Sequence, residues 1–265
     1  MKKRLLIYSV LLLSITVGVS HLSFAGWQDM LKDVVQNAGG MAGSTGSDNQ
    51  ASSVPFSNSD AATALKAALA IGVEKAVQEL GSPGGFMKNP QFRIPMPESL
   101  SFAEKTLRKL GQDEMADQFV MSMNRAAEQA TAQAADIFLA AVKKMTVEDA
   151  ISIVKGPEDA ATQYLRNTTA QDLEKRFLPI VQDATSKTGV TSAYKTMMSR
   201  VPAQGMMGGL GSLMGQDATD IDGYITQKAM DALFTRIAME EKAIRENPLG
   251  QSSKIVQKVF GSLTK

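Results

Sequence analysis

The stretch DEMADQFVMSMNRAAEQATAQAADIFLAAVKKM, residues 113–145, decides how the rest of the chain is read. Phe119, Met123, Ala126, Ala130, Ala134, Ile137, Ala141 and Met145 advance by threes and fours, the repeat of one helix face. Arg125, Gln129, Gln133, Asp136 and Lys143 line the opposite side. The spacing predicts one long helix. Its inner stripe is rich in Ala, which lets neighbouring helices approach closely, so the segment reads as the central strut of a bundle.

Outward from this strut the same repeat recurs between helix start and stop signals. Upstream, residues 98–110 form a short helix ended by Gly111, and residues 81–97 carry Pro83, Pro90, Pro95 and Pro97, which exclude a helix and predict a long ordered loop. Before the loop, Ser59 and Asp60 cap a helix whose Leu65, Leu69, Val73, Ala76 and Leu80 share one stripe, and Gly81 ends it. Downstream, Thr146 and Asp149 have the spacing of a capping box, for a helix closed by Gly156, and Pro157 suits the first turn of another through Leu165. Thr169 and Asp172 repeat the start signal, and Pro179 should kink or split the helix they open. A shorter helix at 191–201 precedes a Gly- and Met-rich loop at 202–219. Asp220 then caps a long helix to Glu246, stopped by Asn247-Pro248, and residues 252–263 form a last amphipathic helix. No alternation of apolar and polar residues is long enough for a strand. The expected fold is all-α, a multi-helix bundle of about eight to nine helices in one domain, residues 59–265.

The N-terminus has a different character. Lys2, Lys3 and Arg4 precede an uncharged apolar run at 5–19 and a polar stretch ending in Ser23-Phe24-Ala25, the layout of a signal peptide cleaved after Ala25. The run has 15 residues, whereas a membrane span needs about 20, so export to a periplasmic or secreted location is the expectation. Trp27, Met30, Leu31, Val34 and Val35 then mark one face of an amphipathic helix at 26–38. A Gly/Ser-rich stretch at 39–58 reads as a flexible linker. The apolar face of the first helix must be covered by the domain, by a partner protein or by a membrane surface in peripheral contact.

Composition closes many functions. The chain has no Cys and one His, and that residue, His21, lies in the leader. Disulfides, thiolate nucleophiles, the usual zinc sites and imidazole-based triads are therefore excluded from the mature chain. Cleavage also removes three of 28 basic residues, leaving 25 against 27 acidic ones, a formal net charge of −2. Such a chain lacks the basic footprint that nucleic acid requires.

Several segments carry a family likeness. They are Gly85-Phe86 with Asn89-Pro90 and Arg93-Ile94-Pro95-Met96-Pro97, then Met123-Asn124-Arg125-Ala126-Ala127-Glu128, then Asp159-Ala160-Ala161-Thr162 with Tyr164. Tyr224-Ile225-Thr226 with Lys228-Ala229 and Asp231 follows, and finally Glu240-Glu241 with Ile244-Arg245 and Asn247-Pro248. On these the chain resembles DUF4197, a bacterial family of exported proteins, over residues 59 to the C-terminus. The resemblance implies a helical exported protein and supplies no catalytic residues.

Candidate sites each admit two readings. Arg125 and Glu128, with Asn124, either meet the 85–97 loop in a polar network or form an ordinary surface pair. Glu240, Glu241 and Arg245 offer carboxylates for acid–base work, yet Glu241 and Arg245 have helix-pair spacing, and adjacent glutamates diverge by about 100°. Asp217, Asp220 and Asp222-Gly223 suggest a calcium loop or a helix cap. Met197, Met198, Met206, Met207 and Met214 suggest either thioether copper ligands or core filler, and Gly209-x-Gly211 lacks the context of a phosphate loop. Phe86 and Arg93 are candidate interaction residues of the Pro-rich loop. No resident metal or cofactor is expected. The favoured reading is a non-enzymatic binding or interaction module for a protein partner or an apolar ligand. The rival is a carboxylate- or lysine-based hydrolase built on Arg125, Glu128 and residues 240–245. For the first helix the test is direct: deleting residues 26–38 is expected to abolish liposome binding by the mature chain, and unchanged binding rules out membrane contact through it.

Overall fold

The computed structural model describes residues 58–188 and 220–247. Among these residues every regular element is helical: α1 (Asn58–Gly81), a 3-10 turn (Glu98–Leu100), α2 (Ser101–Lys109), α3 (Asp113–Thr131), α4 (Ala135–Lys144), α5 (Val147–Lys155), α6 (Ala160–Thr188) and α7 (Ile221–Glu246). The expected signal peptide, the helix at 26–38, nearly all of the linker, and the segments at 191–201, 202–219 and 252–263 lie outside them.

The all-α expectation holds over this region. Helices α6 and α7 pack on each other and both pack on α3; α1 lies across α7, α5, α4 and α3. Phe119, Phe138, Phe177 and Phe234, from α3, α4, α6 and α7, are fully buried in the core, and Phe138 meets Phe234 edge to face with ring centroids 5.8 Å apart. In α1 the stripe of Leu65, Leu69, Val73, Ala76 and Leu80 is buried as its spacing predicts, and the alanines beside it are buried too. Small side chains on both flanks let four neighbours close on this helix.

Two expectations about helix continuity are corrected. The strut at 113–145 is not one helix: Gln133 N donates to Ala130 O at 3.0 Å and Ala134 N to Thr131 O at 3.0 Å, a tightened turn between α3 and α4. A Cβ placed on Gly81 would lie 2.9 Å from Ala132 Cα, so the end of α1 is wedged against this turn. Beyond it the inward face advances by one residue, leaving Ile137 half-buried while Phe138 and Val142 are fully buried. Conversely, the helix at 157–165 and the one opened at Thr169 are a single 29-residue helix, α6. The Thr169 hydroxyl donates to Leu165 O inside it at 2.6 Å instead of capping a new start. Pro179 also lies within α6. Proline in a helix interior costs about 3 kcal/mol, and full burial of Phe177 and Val181 on either side offsets it.

Local start signals fare better. Thr146 Oγ1 accepts from Asp149 N at 3.0 Å while Asp149 Oδ2 accepts from Thr146 N at 2.9 Å, the reciprocal capping box of α5. That backbone bond holds the Asp149 carboxyl below its ordinary range. Asp220 Oδ1 caps α7 by accepting from Gly223 N at 2.7 Å, and Asp222 Oδ1 accepts from Thr185 Oγ1 at 2.8 Å. Both acids are thus in structural use, and no group of three potential metal-ligating side chains clusters among the described residues. The residue expected to begin the 98–110 helix instead opens the 3-10 turn, in which Leu100 N donates to Pro97 O at 2.9 Å.

The 82–97 loop folds back over the end of α1, where space is tight. A Cβ on Gly85 would lie 2.2 Å from Glu79 O and 2.6 Å from Leu80 O. Gly85→Ala is therefore expected to displace the loop root and lower stability by about 1–3 kcal/mol. The check is a lower urea midpoint at unchanged m-value.

Candidate functional site

After the turn at 90–92 the loop runs without regular structure to Pro97, and its burial alternates: Phe92, Ile94 and Met96 are buried and Gln91, Arg93 and Pro95 exposed. Period two is the pattern of a strand, but among the described residues no neighbouring strand answers its backbone. A side chain does so instead. Asn124, fully buried on α3, accepts from Ile94 N through Oδ1 at 2.9 Å and donates through Nδ2 to Ile94 O at 2.9 Å and to Val120 O at 2.7 Å. One turn further along α3, Glu128 Oε1 accepts from Phe86 N at 3.3 Å. Tyr224 of α7 donates its hydroxyl to Pro95 O at 3.2 Å, and partial burial raises its pKa.

Asn124, Glu128 and Phe86 are thus brought together. Phe86 is fully buried as an anchor of the loop, and Glu128 is only 6% exposed. Arg93 and Arg125 are exposed, and no ion pair joins Arg125 to Glu128 among the described residues.

Glu240 and Glu241 diverge as adjacent helical residues must, and serve different neighbours. Glu240 accepts from Lys75 Nζ of α1 at 2.9 Å and pairs with Arg236, whose Nε donates to Glu79 Oε2 at 2.7 Å. Burial works against the Arg236 charge, but the bonds to Glu79 and Glu240 outweigh it and raise its pKa. Glu241 turns to the N-terminus of α6. Its oxygens accept from Ala161 N at 3.0 Å, Thr162 N at 2.8 Å and Thr162 Oγ1 at 2.8 Å, and from Arg245 Nε and Nη2 at 3.1 and 2.8 Å. Arg245 Nη2 also donates to Ile153 O at 3.0 Å. The sequence pattern missed Lys75, Glu79 and Arg236. Their spacing of four, Lys75 to Glu79 on α1 and Arg236 to Glu240 on α7, was visible, but not that the two helices face each other.

Two open clefts flank the exposed side of α3. One, of about 510 Å³, lies against the loop and is bordered by Pro83, Gly84, Met87, Lys88, Met121, Arg125 and Glu128. The second, of about 650 Å³, runs on to α6 and is bordered by Ala132, Gln133, Arg176, Pro179 and Ile180. Both include Gly81 and Gln129. Glu241 and Arg245 instead border a pocket of about 20 Å³ with Leu65 and Ile244. The polar residues picked out in the sequence therefore form separate clusters. Trp27, Met30, Leu31, Val34, Val35, the Met cluster at 197–214, Gly209-x-Gly211 and Asp217 lie outside the described residues. Among the described residues no helix is long and apolar enough to cross a membrane.

Residues 55–261 match the family described as a protein of unknown function, DUF4197. No curated protein matches the chain, and no solved structure matches it.

The geometry at Glu241 makes a sharp stability prediction. Glu241→Ala leaves Arg245 and two helix N–H groups unanswered and is expected to cost about 3–5 kcal/mol. Glu241→Gln, which keeps an acceptor oxygen, should cost clearly less. Urea unfolding followed by helical circular dichroism checks the order of the two.

Proposed function

Because the chain belongs to the DUF4197 family, whose description assigns no activity, function has to be argued from its own residues, and we propose that it is a non-catalytic binding module acting in the periplasm or outside the cell. One observation carries this reading. The groups that would supply acid–base chemistry are spent on the fold, while the open cleft beside Glu128 presents exposed Lys88, Met121, Arg125 and Gln129. Asn124 and Glu128 hold the loop, Glu240 answers Lys75 and Arg236, and Glu241 answers the α6 terminus and Arg245. A carboxylate working as general acid or base must reach its substrate's proton, and the oxygens of Glu241 already accept five hydrogen bonds.

The hydrolase alternative needs Arg125, Glu128 and residues 240–245 in one cleft, whereas Arg125 and Glu128 border one and Glu241 and Arg245 another. The loop cleft has the make-up of a recognition surface: half-buried Met87 and exposed Met121 give adaptable apolar contact, with polar groups at the margin. Export rests on the basic start, the apolar run at 5–19 and Ser23-Phe24-Ala25, and the lack of Cys removes lipid attachment through a thiol.

Native mass spectrometry of the mature protein purified from the periplasm of its own host is the test. A retained molecule or partner is expected, and Met121→Glu should release it while leaving the unfolding midpoint unchanged, because Met121 is exposed. A protein recovered bare, or a bound molecule indifferent to Met121→Glu, overturns the assignment.

A further inference from the structure

The two clefts along α3 share a charge that the chain as a whole does not have. Lys88 from the loop, Arg125 from α3 and Arg176 from α6 all border them, all are exposed, and none forms an ion pair among the described residues. Glu128 is the one carboxylate on either border, and its Oε1 already accepts from Phe86 N. The groove therefore carries an excess of two positive charges, on a mature chain of formal charge −2.

Its cations come from three different elements. Gly84 has φ +89°, and a Cβ there would lie 2.8 Å from Lys88 Cδ, so the lysine stem lies over the glycine at the mouth of the cleft. Arg125 and Gln129 lie four apart on one side of α3, about 6 Å along its axis at 1.5 Å per residue, and Gln133 stands in the tightened turn that follows. An extended peptide rises about 3.3 Å per residue, so the helical pair alone spans roughly two residues of one, with Gln133, Lys88 and Arg176 supplied by flanking elements.

From this arrangement we infer that the α3 groove binds an acidic, extended peptide segment of a partner protein. The inference rests on the binding-module reading and narrows its occupant to one chemical class. A compact phosphate or sulfate wants several donors converging on one point, and these cations stand on three different elements. Gln129 and Gln133 each present a donor and an acceptor, which suits the alternating N–H and C=O of a peptide backbone. Met87, Met121 and Ile180 sit among the polar groups and would take up the apolar side chains between the acidic ones. The guanidinium groups pair with carboxylates in a bidentate manner.

The experiment uses the mature full-length protein and a fluorescein-labelled twelve-residue peptide of alternating Glu and Leu, followed by anisotropy. Saturable binding is expected, weakened by added salt. The double variant Arg125→Glu, Arg176→Glu should bind at least about tenfold more weakly at an unchanged unfolding midpoint. Lys187→Glu, an exposed position paired with Asp183 and away from the groove, should bind like the parent. Equal binding of the Gln and Leu counterpart peptide, or full binding by the double variant, overturns the proposal. So do phosphatidylglycerol vesicles that bind the protein and release it in the double variant, since the groove is then a membrane-surface site. If the partner seen by native mass spectrometry is lost with Met121→Glu but kept by the double variant, the binding module stands and the acidic occupant falls.

Discussion

The Glu241 carboxylate is the contact on which the arrangement of the long helices depends. Helix α6 starts in the interior, where Ala161 is fully buried and Thr162 nearly so, and the first N–H groups of any helix lack partners within it. Its own preceding residues serve only two of them, Ala160 N donating to Pro157 O at 3.1 Å and Gln163 N to Asp159 O at 2.9 Å, which leaves the N–H groups of Ala161 and Thr162. Asp159, well placed in sequence to cap, accepts from the Gln163 side chain at 2.9 Å. Glu241 takes the task from another helix, bringing negative charge to the positive end of the α6 dipole. Burying a carboxylate is costly unless it is paired and fully hydrogen-bonded, and Arg245 together with three α6 donors meets that condition. Because Arg245 also reaches Ile153 O near the end of α5, one residue pair on α7 fixes the ends of two other helices.

Helix α7 is thereby a hub. Two consecutive glutamates, about 100° apart around its axis, send one carboxylate to α6 and the other to Lys75 of α1. The second tie continues through Arg236 to Glu79, close to where α1 ends and the Pro-rich loop begins. The loop is held from the other side by Asn124, whose amide answers the Ile94 backbone as a neighbouring strand would. An amide can do this because it matches one residue's N–H and C=O together. Loop, strut and hub therefore form one connected polar frame around the aromatic centre.

Much of this was legible in the sequence, and the exceptions have physical causes. Apolar repeats located α1 and α3, start and stop signals located α7, and the Thr146 and Asp220 caps are local chemistry that acts as its spacing says. The turn at 132–134 contains neither Gly nor Pro; it is imposed by the end of α1 pressing on Ala132. The continuity of α6 through Thr169 and Pro179 is likewise decided by burial at Phe177 and Val181, which a local signal cannot report. Asn124 and Glu128 read as polar-face residues because α3 was assigned one apolar stripe. In fact Val120, Asn124, Ala127, Glu128 and Thr131 continue the buried side, since the loop covers a second face of the helix. Polar residues at helical spacing next to an Ala-rich stripe are the signal that was available.

The residues that suggested chemistry and those that hold the fold are largely the same because the two tasks call for the same groups. A carboxylate poised among donors is equally a general base or a helix cap, and only the identity of its neighbours separates the two. The segments on which the family resemblance rests illustrate this. Gly85-Phe86 meets Glu128, Ile94 meets Asn124, Pro95 meets Tyr224, and Ala161-Thr162 meets Glu241. Distant pieces of sequence turn out to be the two halves of single contacts, so most of that resemblance is explained by the frame alone. Arg125 is different. It lies inside one of those segments, between Asn124 and Glu128, yet it is exposed at a cleft and has no ion pair in the described region. The packing of α3 would accept any polar residue there. A guanidinium that the fold does not use, set at the mouth of a cleft whose other walls the frame holds in place, is the residue to which a role in recognition attaches most directly.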